Sequence, residues 1–174
     1  MLPLAERMRP IELNDYIGQK HLMGAESPLR KALAHGHLSS CILWGPPGVG
    51  KTTLAGLIAK ELKRPFYTLS AIQAGVKEVR EVLESAKKQR IFDSPSPILF
   101  IDEIHRFSKS QQDSLLGAVE KGVVTLIGAT TENPSFEVIS ALLSRCQVYT
   151  LKNLESNDLL EMLQKAIDKD VVCK

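Results

Sequence analysis

Cys41-Ile42-Leu43-Trp44-Gly45-Pro46-Pro47-Gly48-Val49-Gly50-Lys51-Thr52-Thr53 is a short apolar run that breaks into a glycine-rich loop ending in Lys-Thr. Gly45 and Gly50 frame four residues ahead of Lys51-Thr52. Glycines let such a loop curl until successive backbone N–H groups face an anion, so residues Gly45 to Thr53 read as a phosphate cradle. Lys51 can reach the outer phosphates of a nucleotide as a point charge, and the Thr52 hydroxyl is placed to ligate Mg2+. Lys51 and Thr52 open a helix. From Thr53 through Leu62 there is no proline, and Leu54, Leu57, Ile58 and Leu62 recur at helical spacing. The helix dipole then lies behind the phosphates. A chance glycine turn lacks the strand before and the helix after that this motif demands.

A second apolar run answers the first. Ile98-Leu99-Phe100-Ile101 is continuous and ends in Asp102-Glu103, the pattern of a strand buried on both faces with carboxylates at its carboxyl end. Open α/β sheets bind ligands at that edge. Asp102 is placed to hold the magnesium mainly through water, and Glu103 to orient or deprotonate an attacking water. Adjacent acids at a strand end are ordinary surface features in isolation; the upstream phosphate loop gives them this reading.

The remaining segments alternate. Ser27 and Pro28 start a helix that runs through Ala34, and Phe66 to Leu69 reads as the second strand. Val79, Val82, Leu83 and Ala86 make an inward stripe on a helix over 76–89, its charges forming a solvated face. Asp93 to Pro97 is turn-rich, and Ser108 caps a helix carrying Leu115, Leu116 and Val119. Val123 to Ala129 reads as the fourth strand, ending in Thr130-Thr131-Glu132-Asn133. A short helix over 136–143, then Ser144-Arg145-Cys146, leads into a fifth strand over 147–151.

The alternation predicts an α/β fold, a five-stranded mainly parallel sheet with helices on both faces. Residues 1–24 read as an extended amino-terminal arm, with Pro10 discouraging helix at Arg9, and 25–152 as the nucleotide-binding core. From Asn153 the pattern becomes an amphipathic helix with Leu159, Leu160, Leu163 and Ile167. One helix cannot bury its own apolar face, so 153–174 is expected to begin a helical lid whose remainder this chain lacks.

At 174 residues and 44% hydrophobic content the chain can bury a proper core. The 22 basic and 20 acidic side chains leave +2, so no overall basic field argues for nucleic acid. Three widely spaced cysteines, Cys41, Cys146 and Cys173, fit neither a disulfide framework nor zinc spacing and suit a reducing cytoplasm. Nothing in the sequence suggests export or a membrane span.

With both motifs, the polar end of the fourth strand and Ser144-Arg145-Cys146 in hand, the chain resembles the AAA+ P-loop ATPases of the clamp-loader and RuvB branch. Pro3 to Pro10, Ile17-Gly18-Gln19 and the run Gly128 to Phe136 are similar to the RarA/MgsA replication-associated recombination family. That resemblance implies Gly45 to Thr52 as the Walker A loop for ATP, Asp102 and Glu103 as the Walker B acids, and Thr131 as the sensor-1 residue. It makes Arg145 an arginine finger acting on ATP held by a neighbouring subunit, which requires a homo-oligomer. It also lays the arm along the adenine through Arg9, Pro10, Tyr16 and Ile17; covering a sheet edge is the simpler alternative for the arm. A bacterial, cytoplasmic, nucleoid-associated protein is implied, acting on DNA forks, gaps or ends, with single-stranded-DNA-binding protein among its possible partners. A sensor-2 arginine and an oligomerisation region, expected of the family, fall outside these 174 residues, so ATPase activity of this chain alone is expected to be weak.

Three readings compete. The first is an ATP-driven motor at stalled or damaged forks; the second is a RuvB-like branch-migration motor; the third is a clamp-loader-type subunit that binds nucleotide without hydrolysing it. Intact Lys51, Thr52, Asp102, Glu103 and Arg145 weigh against the third. His105 completes an Asp-Glu-Ile-His string that invites a DExH helicase reading, discounted because the second recA-like lobe is absent. Trp44 and Phe107 read as packing residues rather than base-stacking platforms.

Overall fold

The computed structural model describes residues 2–89 and 94–170. Asp93, Cys173 and the last four positions of the expected lid segment lie outside them. Among the described residues no helix is long and apolar enough to cross a membrane.

Five strands form one sheet: β1 (Cys41–Trp44), β2 (Phe66–Ser70), β3 (Ile98–Asp102), β4 (Thr125–Thr130) and β5 (Gln147–Thr150). Their order is β2-β3-β4-β1-β5 and every pairing is parallel. The alternation of strands with helices is what allows this, since each parallel return needs a crossover. The central strands are buried on both faces, and their period of two sorts side chains into two cores. Cys41, Leu43, Ile98, Phe100, Ile127 and Ala129 face one cluster. Ile42, Leu99, Ile101 and Leu126 face the other.

The helices cover both faces. On the first lie α3 (Pro28–Ala34), which buries Leu29 and Leu33, and α4 (Lys51–Glu61), which buries Leu54, Leu57 and Ile58. On the second lie α5 (Val76–Gln89), with Val79, Leu83 and Ala86 inward, and α6 (Lys109–Glu120). Ser27 caps α3 by accepting from the Arg30 N–H at 3.2 Å, and Pro28 occupies the first turn. Ser108 and Gln111 cap α6 reciprocally, at 3.2 and 2.9 Å. Phe107 is buried in the second core, a packing residue as expected.

Three sequence expectations change. The arm is not extended: it folds into α1 (Leu4–Arg7), a 3-10 turn over Leu13–Asp15 and α2 (Lys20–Met23). Pro10 does keep Arg9 out of helix, but local turns satisfy the backbone on both sides of it. The helix expected over 136–143 is two short ones, α7 (Pro134–Glu137) and α8 (Ser140–Leu143). Gln112 explains the break: its amide donates to the Glu137 carbonyl at 3.0 Å and accepts from the Ile139 N–H at 2.8 Å, drawing the chain off the helical path. The fourth strand starts two residues later than expected and includes Thr130.

The last helix, α9 (Ser156–Lys169), leaves Leu159, Leu160, Leu163 and Ile167 exposed. Its approach is fixed by Gln19, whose amide donates to the Lys152 carbonyl at 2.7 Å and accepts from the Lys152 N–H at 2.9 Å. The far end is fixed by Arg7, whose guanidinium bonds both carboxylate oxygens of Asp170 at 2.7 and 3.1 Å.

Candidate functional site

The loop after β1 is held at both sides. The Gly45 N–H donates to the Thr130 carbonyl at 3.1 Å, and the Leu151 N–H to the Trp44 carbonyl at 2.7 Å. A Cβ on Gly45 would lie 2.6 Å from the Leu151 carbonyl oxygen, so only glycine fits between β4 and the end of β5. Gly48 and Gly50 then adopt φ of +76° and +93°, the left-handed backbone that glycine takes without a Cβ clash. The turn delivers Lys51 to the first position of α4, whose free N–H groups open toward the loop. This cradle fits a chain of phosphates. The Thr52 hydroxyl, two residues past the second left-handed glycine, is exposed at its lip.

Lys51 is buried, and its Nζ donates to the carbonyls of Gly45 and Pro46 at 2.7 and 2.8 Å. Burial pushes its pKa down, while the carboxylates of Glu103 and Asp102 pull it back up. The ammonium and both acids therefore share one electrostatic neighbourhood, although Lys51 opens α4 and the acids end β3. Asp102 and Glu103 stand at the carboxyl end of β3, with Asp102 beside Ser70 in register. The Asp102 carboxylate accepts from the Glu103 N–H at 3.1 Å. Glu103 itself has φ of +55°, a strained position for a non-glycine residue and one that concentrates at functional sites.

Lys51, Thr52, Thr53, Asp102 and Glu103 line one cleft of about 950 Å³ together with the loop residues Pro47 to Gly50. The arm forms another wall through Arg9, Pro10, Tyr16 and Ile17. Tyr16 is the firmest of these: its hydroxyl lies 3.2 Å from the Val49 carbonyl and 3.4 Å from that of Gly50. Burial pushes its pKa up to about 12. A Cβ on Gly50 would meet the same hydroxyl oxygen at 3.0 Å. Sequence reasoning missed the third wall, supplied by Met162, Lys165, Lys169 and Asp170 on and after α9. The two lysines, spaced four apart on one helix, were the available signal.

Four expected site residues do not line this cleft: Gly45 and Pro46, which touch it only through the carbonyls that hold Lys51 Nζ, and Thr131 and Arg145, which stand apart from it. Thr131 follows β4 on a half-buried bend and does not line it. Its neighbour Thr130 is fully buried, with its hydroxyl 2.9 Å from His105 Nδ1 and accepting from the Glu132 N–H at 3.0 Å. Arg145, just past α8, ion-pairs with Glu120 and donates to the Ala141 carbonyl at 2.7 Å. It points at nothing in its own chain's cleft.

The family described as the ATPase family associated with various cellular activities (AAA) matches residues 41–154. The chain belongs to this AAA family. Replication-associated recombination protein A of Escherichia coli is 54% identical over 166 residues, 95% of this chain and 37% of that protein. Its counterpart in Haemophilus influenzae is 52% identical over the same shares. Among solved structures, the Thermotoga maritima RuvB Holliday junction branch migration motor is 33% identical with a TM-score of 0.74, covering 92% of this chain and 54% of that one. This chain thus spans a little over a third of the length of those curated relatives. The AAA match begins at the first residue of β1 and ends just short of α9, so it contains both the cradle and the acids.

Proposed function

We propose that this chain is the ATP-binding and hydrolysing module of a DNA-associated AAA+ ATPase that acts at stalled or damaged replication forks in recombination and repair. The observation that carries the ATPase half is the convergence of Lys51, Asp102 and Glu103 on one cleft with the Pro47 to Thr53 part of the loop. The replication-associated recombination half rests on the relatives named above.

In this reading the loop N–H groups and the α4 N-terminus bind the phosphates, and Lys51 moves from the Gly45 and Pro46 carbonyls to their oxygens. Thr52 and, mainly through water, Asp102 would hold Mg2+, which when bound neutralises charge on the outer phosphates. Glu103 accepts the proton of the attacking water. Arg9, Pro10, Tyr16 and Ile17 form the base-side wall, and Thr131 senses the γ-phosphate. Arg145 acts on a neighbouring subunit's ATP after leaving Glu120. Residues 1–24, 25–152 and 153–174 then serve as arm, core and beginning of a helical lid. The setting is cytoplasmic and nucleoid-associated, with a homo-oligomer and single-stranded-DNA-binding protein as partners.

The resemblance to RuvB favours a second reading, branch migration of a four-way junction. Phosphate release and junction unwinding, measured side by side in the full protein, separate the two. ATP turnover without junction migration supports the fork reading, and ATP-driven migration supports the RuvB-like one.

A further inference from the structure

The turn after β3 is fixed by a backbone bond of its own and by packing on β4. Glu103 enters it in the left-handed region, and the Arg106 N–H closes it on the Glu103 carbonyl at 2.8 Å. Ile104, fully buried, seats in the space that Gly128 of β4 leaves by having no side chain. A Cβ there would meet Ile104 Cδ1 at 3.0 Å and Ile42 Cδ1 at 2.8 Å. With Ile104 seated, the next residue is carried over β4 two positions further along, beside Thr130.

That residue is His105, and both of its ring nitrogens are used. Nε2 lies 3.1 Å from Glu103 Oε2, and Nδ1 lies 2.9 Å from Thr130 Oγ1. An ionised carboxylate only accepts, so Nε2 carries the proton given to Glu103. The Thr130 hydroxyl also accepts from the Glu132 N–H at 3.0 Å and lies 3.2 Å from the Glu132 carbonyl. Its one proton therefore has an acceptor whether Nδ1 is protonated or not. The imidazole side chain is 9% exposed and Thr130 0%, so water competes little for these bonds. Glu103, 30% exposed, remains on the cleft wall while tethered.

We propose that His105 is a positioning residue: it holds the Glu103 carboxylate in the cleft and ties it through Thr130 to the end of β4. The inference rests on the reading of Glu103 as the base for ATP hydrolysis. A hydrogen bond from a fixed donor narrows the orientations of a carboxylate that must meet water at a defined place, which raises the rate of the step without adding affinity for the nucleotide. The β4 end carries Thr131 one residue on, so a shift of that strand end reaches Glu103 through two hydrogen bonds. The bland alternative is that His105 merely satisfies Thr130. That role predicts a stability change and no selective loss of turnover.

The test uses the full protein, with phosphate release and fluorescent-ATP affinity measured on wild type, Glu103→Gln, His105→Ala, His105→Gln and Thr130→Val. His105→Ala is expected to lose roughly 10- to 100-fold in kcat, the size seen when a hydrogen-bonded partner of a reactive group is removed, with nucleotide affinity unchanged. His105→Gln, whose amide can donate to Glu103 and accept from Thr130, is expected to recover most of that loss. Adding Thr130→Val to His105→Ala is expected to cost less than the product of the two single losses, because both act through one chain of bonds. A His105→Ala protein with wild-type or faster turnover at unchanged affinity overturns the proposal. So does an equal loss in Ala and Gln variants. If His105→Ala also loses affinity, the Gln and Thr130→Val variants decide by the same criterion. Turnover insensitive to Glu103→Gln overturns the reading of the base, and this inference with it.

Discussion

Gln19 and Lys152, 133 positions apart, exchange two hydrogen bonds: the Gln19 amide donates to the Lys152 carbonyl and accepts from the Lys152 N–H. Gln19 is 5% exposed and takes φ of +54° to make the pair. The bond set joins the arm to the segment entering α9, and both contribute walls to the cleft. Gln19→Ala leaves both backbone groups of Lys152 without their partner. A loss of about 1–3 kcal/mol follows, read as a lower urea midpoint at unchanged m-value.

Tyr16 is the arm's contact with the phosphate loop. Tyr16→Phe keeps the ring and removes the hydroxyl that bonds the Val49 and Gly50 carbonyls, at about 1 kcal/mol. The phenol also links stability to pH. Its pKa is near the ordinary phenol value of about 10 when the chain is unfolded, and burial raises it to about 12 when folded. The unfolded state thus ionises first, and stability falls as pH rises from about 10 to about 12. Alkaline unfolding curves of Tyr16→Phe are expected to be flatter across that interval.

Gly128 controls the turn that carries Glu103 and His105. Gly128→Ala places a Cβ against Ile42 and Ile104 and overpacks a fully buried position, at about 1–3 kcal/mol. Displacing Ile104 displaces the turn, so ATP turnover is expected to fall more than nucleotide affinity does. Thermal unfolding and steady-state kinetics on one preparation check both parts.

Arg145 is bound to Glu120 and lies away from its own chain's cleft. In the assembled full protein, Arg145→Ala is expected to spare ATP binding and lose hydrolysis by roughly 10³-fold or more, the scale of a missing arginine finger. Mixing it with Glu103→Gln subunits is expected to restore part of the activity, because each variant supplies the group that the other lacks.

Much of this architecture was legible in the sequence because long elements repeat their signal. Five strands, the crossover helices and the Ser27 and Ser108 caps follow from periodicity and capping chemistry over stretches of four to fourteen residues. The arm was not legible, since helices of four residues and one 3-10 turn are too short to show a period. The break between α7 and α8 depends on the Gln112 amide, which lies far back in the chain. At the site, the loop and the acids announce themselves by spacing. The bond from His105 to Thr130, and the α9 wall with Lys165 and Asp170, arise only when separated segments meet, and the bond from His105 back to Glu103 depends on the left-handed turn between them.

Lys51 is the cation nearest to the claim that this cleft holds a nucleotide. Lys51→Ala removes a buried donor whose charged hydrogen bonds are worth about 1.5–3 kcal/mol each. ATP affinity is expected to fall at least 10- to 100-fold, while Glu103→Gln is expected to keep it.

The central claim is that one cleft binds ATP through the Gly45 to Thr53 loop and hydrolyses it through Glu103. Phosphate release and ATP affinity measured together on wild type and Glu103→Gln test it directly. Equal affinity in both proteins and turnover in wild type alone are expected; equal phosphate release from the two overturns the assignment of Glu103.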